Sequence, residues 1–178
     1  MDGASPEDLG YMKEALKTAR EALQQGEVPC AAVLVAPGQG IVARVHATDR
    51  QRRNRISHAE LLLLLDSPVA GTRRDSLTLY STLEPCVMCT AALMTEGVGR
   101  VVFGLPSPID GGTYLLVDSK TVARCGGAAF DLTGGVMEEE CARLFAQFLD
   151  LPGVPAGMVA FVRALLDSQG DSSGLCLR

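Results

Sequence analysis

Three side chains suited to zinc and one carboxylate able to move a proton sit in two short segments of this chain. His58-Ala59-Glu60 supplies an imidazole with an acid two residues on, and Pro85-Cys86-Val87-Met88-Cys89 supplies two thiols at a spacing of three. A structural zinc is normally closed by four protein ligands, whereas a catalytic zinc keeps three and leaves a position for water. His58, Cys86 and Cys89 therefore read as the ligands of one catalytic Zn²⁺ per subunit. The two thiolates balance the charge of the ion, whose Lewis acidity still brings the pKa of a water to about 7. Glu60 is placed to take that proton and hand it on. A first-turn acid can also simply satisfy a helix dipole, but with metal ligands beside it the catalytic role is the better reading.

The spacing also says how the elements must hold these groups. Cys86 and Cys89, three apart at the start of a helix, turn their sulfurs to one face, and the helix-end dipole helps keep them ionised. Positions two apart on a regular helix diverge, so His58 and Glu60 must sit at an irregular helix start to address one water. The Cys86 backbone N–H, at a helix start, is aimed to stabilise a developing oxyanion.

Around these segments the chain alternates helix and strand. Ser5-Pro6-Glu7-Asp8 is a helix start, with apolar residues at helical spacing to about Gln25 and Gly26 as the stop. Cys30 to Ala36 reads as a strand covered on both faces, and Ile41 to His46 as its antiparallel partner. Further elements are expected as helix Ser57–Asp66 closed by Ser67-Pro68, strand Leu77–Ser81, helix Cys86–Glu96 and strand Arg100–Gly104. Residues 105–112 form a Pro/Gly-rich loop, and 113–127 read as a short helix followed by loop. A fifth strand over Ala128–Thr133, an amphipathic helix over Val136–Leu149 and a last helix over Met158–Asp167 complete the order. The implied fold is α/β, a mixed sheet with helices on both faces. Residues 1–167 read as a single domain and 168–178 as a flexible tail.

Composition excludes several classes. The 178 residues suffice for one domain with a core. The longest apolar run, Leu61 to Leu65, is far below the roughly 20 residues of a membrane helix, and Met1 to Glu7, polar and acidic, does not read as the apolar stretch of a signal peptide. No membrane association and a cytoplasmic location are expected. Cys30, Cys125, Cys141 and Cys176 read as reduced thiols. The net charge of −5 argues against broad nucleic-acid binding, yet Arg50-Gln51-Arg52-Arg53-Asn54-Arg55 leads directly into His58. Charge runs are ordinarily solvated loops, but here Arg52, Arg53 and Arg55 are also candidate phosphate contacts.

The H-x-E…P-C-x-x-C pattern is the signature of zinc nucleobase deaminases. With Glu27-Val28-Pro29, Leu79-Tyr80-Ser81-Thr82-Leu83-Glu84-Pro85 and Gly99-Arg100-Val101-Val102-Phe103-Gly104, the chain resembles the bacterial tRNA adenosine deaminases of the cytidine-deaminase-like superfamily over roughly residues 8–150. The resemblance implies a three-layer α/β/α sandwich with a mixed five-stranded sheet, a homodimer, zinc on His58, Cys86 and Cys89, and Glu60 as proton shuttle. Four features depart from that family. Its purine-contacting Asn on the second strand is replaced nearby by His46. Its Asp-Pro-Thr stretch before the zinc histidine is Arg55-Ile56-Ser57, and its Lys-Thr-Gly-like loop is Ser107-Pro108-Ile109-Asp110-Gly111-Gly112. Its basic C-terminal cluster is missing.

The expected reaction is hydrolytic deamination of a base slotted above the metal, with Val28 to Ala31 and the strand end near His46 as walls. Pro29, Ala31, His46, Glu84 and Asp110 are the candidate substrate contacts; a lone histidine at a strand end is as readily structural. The departures and the aromatic content of 4% favour a small-molecule substrate: a free nucleobase, nucleoside, nucleotide or related heterocycle. Wobble-adenosine deamination of tRNA is the alternative, and an inactive zinc-binding partner subunit a minor one. Ala91, Ala92, Leu93 and Met94 are candidate dimer contacts, with ordinary core as the competing reading.

Overall fold

Ser5 caps the first helix as its sequence predicts. In a computed structural model that describes residues 4–66, 73–117, 119–124 and 127–171, helix α1 (Pro6–Gln24) starts with a reciprocal pair. The Asp8 N–H donates to the Ser5 hydroxyl, and the Ser5 N–H donates to the Asp8 carboxylate. The helix then buries Met12, Ala15, Leu16, Ala19 and Ala22. Strands β1 (Ala31–Ala36) and β2 (Gly40–His46) follow, then a four-residue helix α2 (Asp49–Arg52) inside the arginine loop and helix α3 (Ala59–Asp66). Next come β3 (Thr78–Leu83), α4 (Val87–Glu96), β4 (Arg100–Leu105), a 3-10 turn (Thr113–Val117), α5 (Ser119–Arg124), β5 (Asp131–Thr133), α6 (Glu138–Leu149) and α7 (Ala156–Asp167). The Ser67-Pro68 stop, Cys125, Cys176 and the tail beyond 171 lie outside the described residues.

The five strands form one mixed sheet in the order β2-β1-β3-β4-β5. Strand β1 runs antiparallel to β2 and β3, while β3, β4 and β5 are parallel. The period-2 pleat of β1 explains why it is wholly apolar. Ala31, Val33 and Val35 pack with α1, α6 and α7, whereas Ala32, Leu34 and Ala36 pack with α3 and α4 on the opposite face. The three layers expected from the sequence are thus present, with a core on each side of the sheet.

Several boundaries move for local reasons. The fifth strand starts at Asp131 because the Ala128 N–H turns to the Met94 carbonyl at the end of α4. Helix α6 starts at Glu138 because Met137 is left-handed at φ 56°. Helix α7 starts two residues early, the Pro155 carbonyl accepting from the Met158 and Val159 N–H groups. Ser168–Asp171 continue it as a 3-10 turn. Leu93 and Met94 are fully buried, which makes them core and corrects their reading as contacts for a second copy.

One partly buried ionic network braces the α1 end of the sheet. The Arg100 guanidinium grips both Asp8 oxygens at 2.6 and 3.1 Å, Tyr80 donates its hydroxyl proton to Asp8 at 3.0 Å, and Arg100 also donates to the Thr133 hydroxyl. The Arg100 bonds hold the Asp8 carboxyl well below the usual carboxylate range.

Candidate active site

The parallel strand β3 delivers one half of the site from its carboxyl end, where open α/β sheets keep their clefts. After Leu83 the chain passes Glu84 and Pro85 and reaches Cys86, which precedes α4, with Cys89 in its first turn. The other half comes from α3. His58 lies just before that helix, its carbonyl accepting the Leu62 N–H, and Glu60 is its second residue. The irregular start is what lets side chains two apart converge.

His58 Nδ1 lies 3.5 Å from both Cys86 Sγ and Cys89 Sγ, and all three donor atoms fall within 4.8 Å of one another. Tetrahedral zinc with bonds of about 2.3 Å to sulfur and about 2.05 Å to nitrogen separates neighbouring S and N donors by about 3.6 Å. The three residues present fit that ion. Between the protein groups alone, the Cys89 thiol and then His58 donate toward Cys86 and pull its thiol down to about 4. His58 is raised to about 9, mainly by the same bond to Cys86. Cys89, as donor to Cys86, is pushed upward.

Glu60 is buried, and burial raises its carboxyl pKa. Its Oε1 accepts the Ser81 hydroxyl proton at 2.8 Å, and its Oε2 faces Cys89 Sγ at 3.4 Å. This carboxylate is held beside the His-Cys-Cys cluster by a hydroxyl on strand β3.

The site opens into a cavity of about 1160 Å³. Val28, Cys30, Ala47, Asp49, Leu83 and Met88 line its interior, and Arg53, Arg55, Met158 and Phe161 also face it. Of the expected wall Val28 to Ala31, Val28 and Cys30 line the cavity and Pro29 and Ala31 do not. The main chain at Pro29 and Ala31 is tied to β3: the Ala31 N–H donates to the Thr82 hydroxyl, which itself donates to the Pro29 carbonyl. Just past the end of β2, Ala47 lines the cavity, while His46 binds the Ala47 carbonyl through Nδ1 at 2.8 Å and does not line it.

Glu84 and Asp110 do line it, but their oxygens are engaged in holding the loop after β4. Glu84 accepts from the Ser107 N–H at 2.9 Å and from the Thr113 hydroxyl, and Asp110 accepts from the Ser107 hydroxyl at 2.6 Å. Gly112 lets this loop pass so close to the Val87 backbone that a Cβ would collide with it.

The arginine run divides by role. Arg50 is structural, donating to the Gly26 and Gly153 carbonyls and lying 5.9 Å over the Phe148 ring. Arg53 and Arg55 face the cavity, and Arg52 does not. Two parts of the site carried no motif. Asp49 stands beside His58, 3.8 Å from its Nε2, and its signal was only an acid at the edge of a basic run. Met158 and Phe161 arrive on α7, which packs its buried Val162 and Leu165 into the core beside α6.

The family model described as "Cytidine and deoxycytidylate deaminase zinc-binding region" matches residues 5–105. The chain is 41% identical to the tRNA-specific adenosine deaminase of Bacillus subtilis (strain 168), over 80% of this chain and 88% of that protein. It is also 41% identical to a tRNA(Ile)-lysidine synthase of Thermus thermophilus, over 80% of this chain but only 25% of that much longer protein. In three dimensions it is similar to a solved structure from work on A-to-I editing by tRNA:A34 deaminases at the wobble position. That similarity has a TM-score of 0.64 and 32% identity and covers 76% of this chain and 98% of that one.

Proposed function

We propose that this chain, which belongs to the cytidine and deoxycytidylate deaminase zinc-binding family, is a tRNA adenosine deaminase that converts a wobble adenosine to inosine with release of ammonia. The observation that carries the reading is the 41% identity with the Bacillus subtilis tRNA-specific adenosine deaminase across 88% of that protein. The cavity supports it: about 1160 Å³ exceeds the roughly 300–1,000 Å³ of ordinary small-ligand pockets. Arg53 and Arg55 face it as donors for backbone phosphates. This reverses the sequence-based preference for a free base or nucleotide. One observation still favours that second reading: the carboxylates of Asp49 and Asp110 also line the cavity, and they repel a polyanion.

In the proposed mechanism, zinc on His58, Cys86 and Cys89 supplies the Lewis acidity that makes water nucleophilic near neutral pH. Glu60 accepts the water proton and delivers it to the ring nitrogen beside the carbon under attack. It then carries the second water proton to the exocyclic amino group, which leaves with its bonding pair as ammonia while the water oxygen becomes the carbonyl. Ser81 keeps the Glu60 carboxylate aimed during both transfers. Val28, Cys30, Ala47 and Leu83 exclude bulk water from the base.

The proposed partner is a folded RNA, and the proposed location is the cytoplasm. Among the described residues no helix is long and apolar enough to cross a membrane. A homodimer remains part of the proposal, supported by exposed Val87, Tyr114 and Val117 on α4 and the 3-10 turn packed against it. The deciding experiment compares ammonia release from an anticodon stem-loop carrying a wobble adenosine with release from adenine, adenosine, AMP, guanine and cytosine. The stem-loop should be favoured in kcat/KM by at least about 100-fold; equal or faster turnover of a free compound overturns the tRNA reading.

A further inference from the structure

Asp49 belongs to none of the recognised motifs, yet it faces the back of the metal-binding histidine. The His58 ring is divided between two sets of partners. Its Nδ1 is 3.5 Å from both sulfurs, and its Nε2, across the ring, is 3.8 Å from Asp49 Oδ2. An imidazole that ligates through Nδ1 must carry its proton on Nε2, and here that proton faces a carboxylate.

The setting of Asp49 makes a purely architectural role hard to sustain. Its Oδ1 is buried without a hydrogen-bond partner, a position that costs stability unless something else uses the group. Its main chain, by contrast, is firmly held. Buried Glu27 accepts the next two N–H groups, of Arg50 at 3.1 Å and Gln51 at 2.6 Å, and the Asn54 N–H donates to the Asp49 carbonyl at 3.0 Å. The backbone at the start of the short helix α2 thus presents the Asp49 side chain to His58.

From this geometry we infer that Asp49 is a positioning residue, which holds the His58 ring in the Nδ1-ligating tautomer and orientation and strengthens its grip on zinc. Metal-ligating histidines commonly give their second N–H to a carboxylate, which fixes the ring and raises its basicity. The inference rests on the zinc reading above and adds the outer partner that the ligand motif does not contain.

The test uses the full chain, purified with zinc, and its Asp49→Asn, Asp49→Leu and Asp49→Glu variants. Zinc release to a chelating dye and the visible absorption of the cobalt(II)-substituted proteins are read alongside thermal melting of the metal-free forms. Asp49→Asn and Asp49→Leu should release zinc roughly 10- to 100-fold faster and shift the cobalt bands, with the Asn variant melting as the wild type does. Asp49→Glu should return release to near the wild-type rate. Unchanged release and spectra in the Asn and Leu variants, or a Glu variant as leaky as Asn, overturn the inference. A wild-type protein that retains no zinc would instead overturn the metal reading itself, so the two failures are distinguishable.

Discussion

Ser81 and Glu60 meet across the interior, the Ser81 hydroxyl donating to Glu60 Oε1 at 2.8 Å while Oε2 faces Cys89. One oxygen of the carboxylate is anchored to β3, and the other is left toward the metal ligands. A shuttle needs this division, because a carboxylate free to rotate loses its aim between two proton transfers.

Glu60→Gln should therefore lower kcat by at least about 10²–10⁴-fold, the usual contribution of a positioned general base. The bound zinc, measured by elemental analysis, should stay near one ion per chain. Ser81→Ala removes only the anchor and should lower kcat by about tenfold with zinc content unchanged. Substantial turnover by Glu60→Gln would exclude it as the proton carrier.

Arg53 and Arg55 face the cavity without serving the fold as Arg50 does. Replacing both with Gln should raise KM for an anticodon stem-loop and leave kcat close to wild type. The salt dependence of RNA binding should also weaken, by about 0.7 in log–log slope for each single-stranded phosphate no longer neutralised. Fluorescence anisotropy across a potassium chloride series measures this, and an unchanged slope removes both residues from the interface.

The metal ligands were legible in the sequence because their spacing is local: a turn of helix fixes Cys86 against Cys89, and a helix start fixes His58 against Glu60. What lay beyond was set by packing. The segment Val28 to Ala31 lies just before β1 and is apolar or small throughout, so its sequence holds no mark of which side chains meet the cavity, and of the four only Val28 and Cys30 line it. Just past β2, likewise, Ala47 lines the cavity and His46 does not. Leu93 and Met94 had the composition of an interface and of a core alike, and only the sheet above them decided. Asp49 depends on how the arginine loop is held by Glu27, and Phe161 on how α7 buries Val162 and Leu165 against α6.

Phe161, on α7, faces the cavity with Met158 and is half-buried. A base next to the target adenosine would stack on such a ring, an interaction of about 1–3 kcal/mol per base. Phe161→Leu keeps the apolar volume and removes the flat face. It should raise KM for the stem-loop by about tenfold or more and leave the slow turnover of free adenosine unaltered. Equal effects on both substrates would assign Phe161 to packing alone.

The Asp8–Arg100 pair predicts how the fold responds to acid. Because Arg100 holds the Asp8 carboxyl below its ordinary value of 3.8, the native state keeps Asp8 ionised where the unfolded chain has begun to protonate it. The stabilisation is complete above the unfolded carboxylate pKa and is lost as pH falls through the lower folded value. Arg100→Gln removes the cation and leaves the carboxylate, 1% exposed, with only neutral donors. Its cost at neutral pH should be about 2–3 kcal/mol, somewhat below the loss for a fully buried pair because Arg100 is partly solvated. In that variant the carboxyl pKa rises toward and above the ordinary range, so stability should increase, relative to wild type, as pH is lowered through 5 to about 3. Urea unfolding followed by circular dichroism at several pH values tests this. A wild-type-minus-variant stability difference that stays constant between pH 7 and about 3 would show that the network contributes no charge-dependent stability.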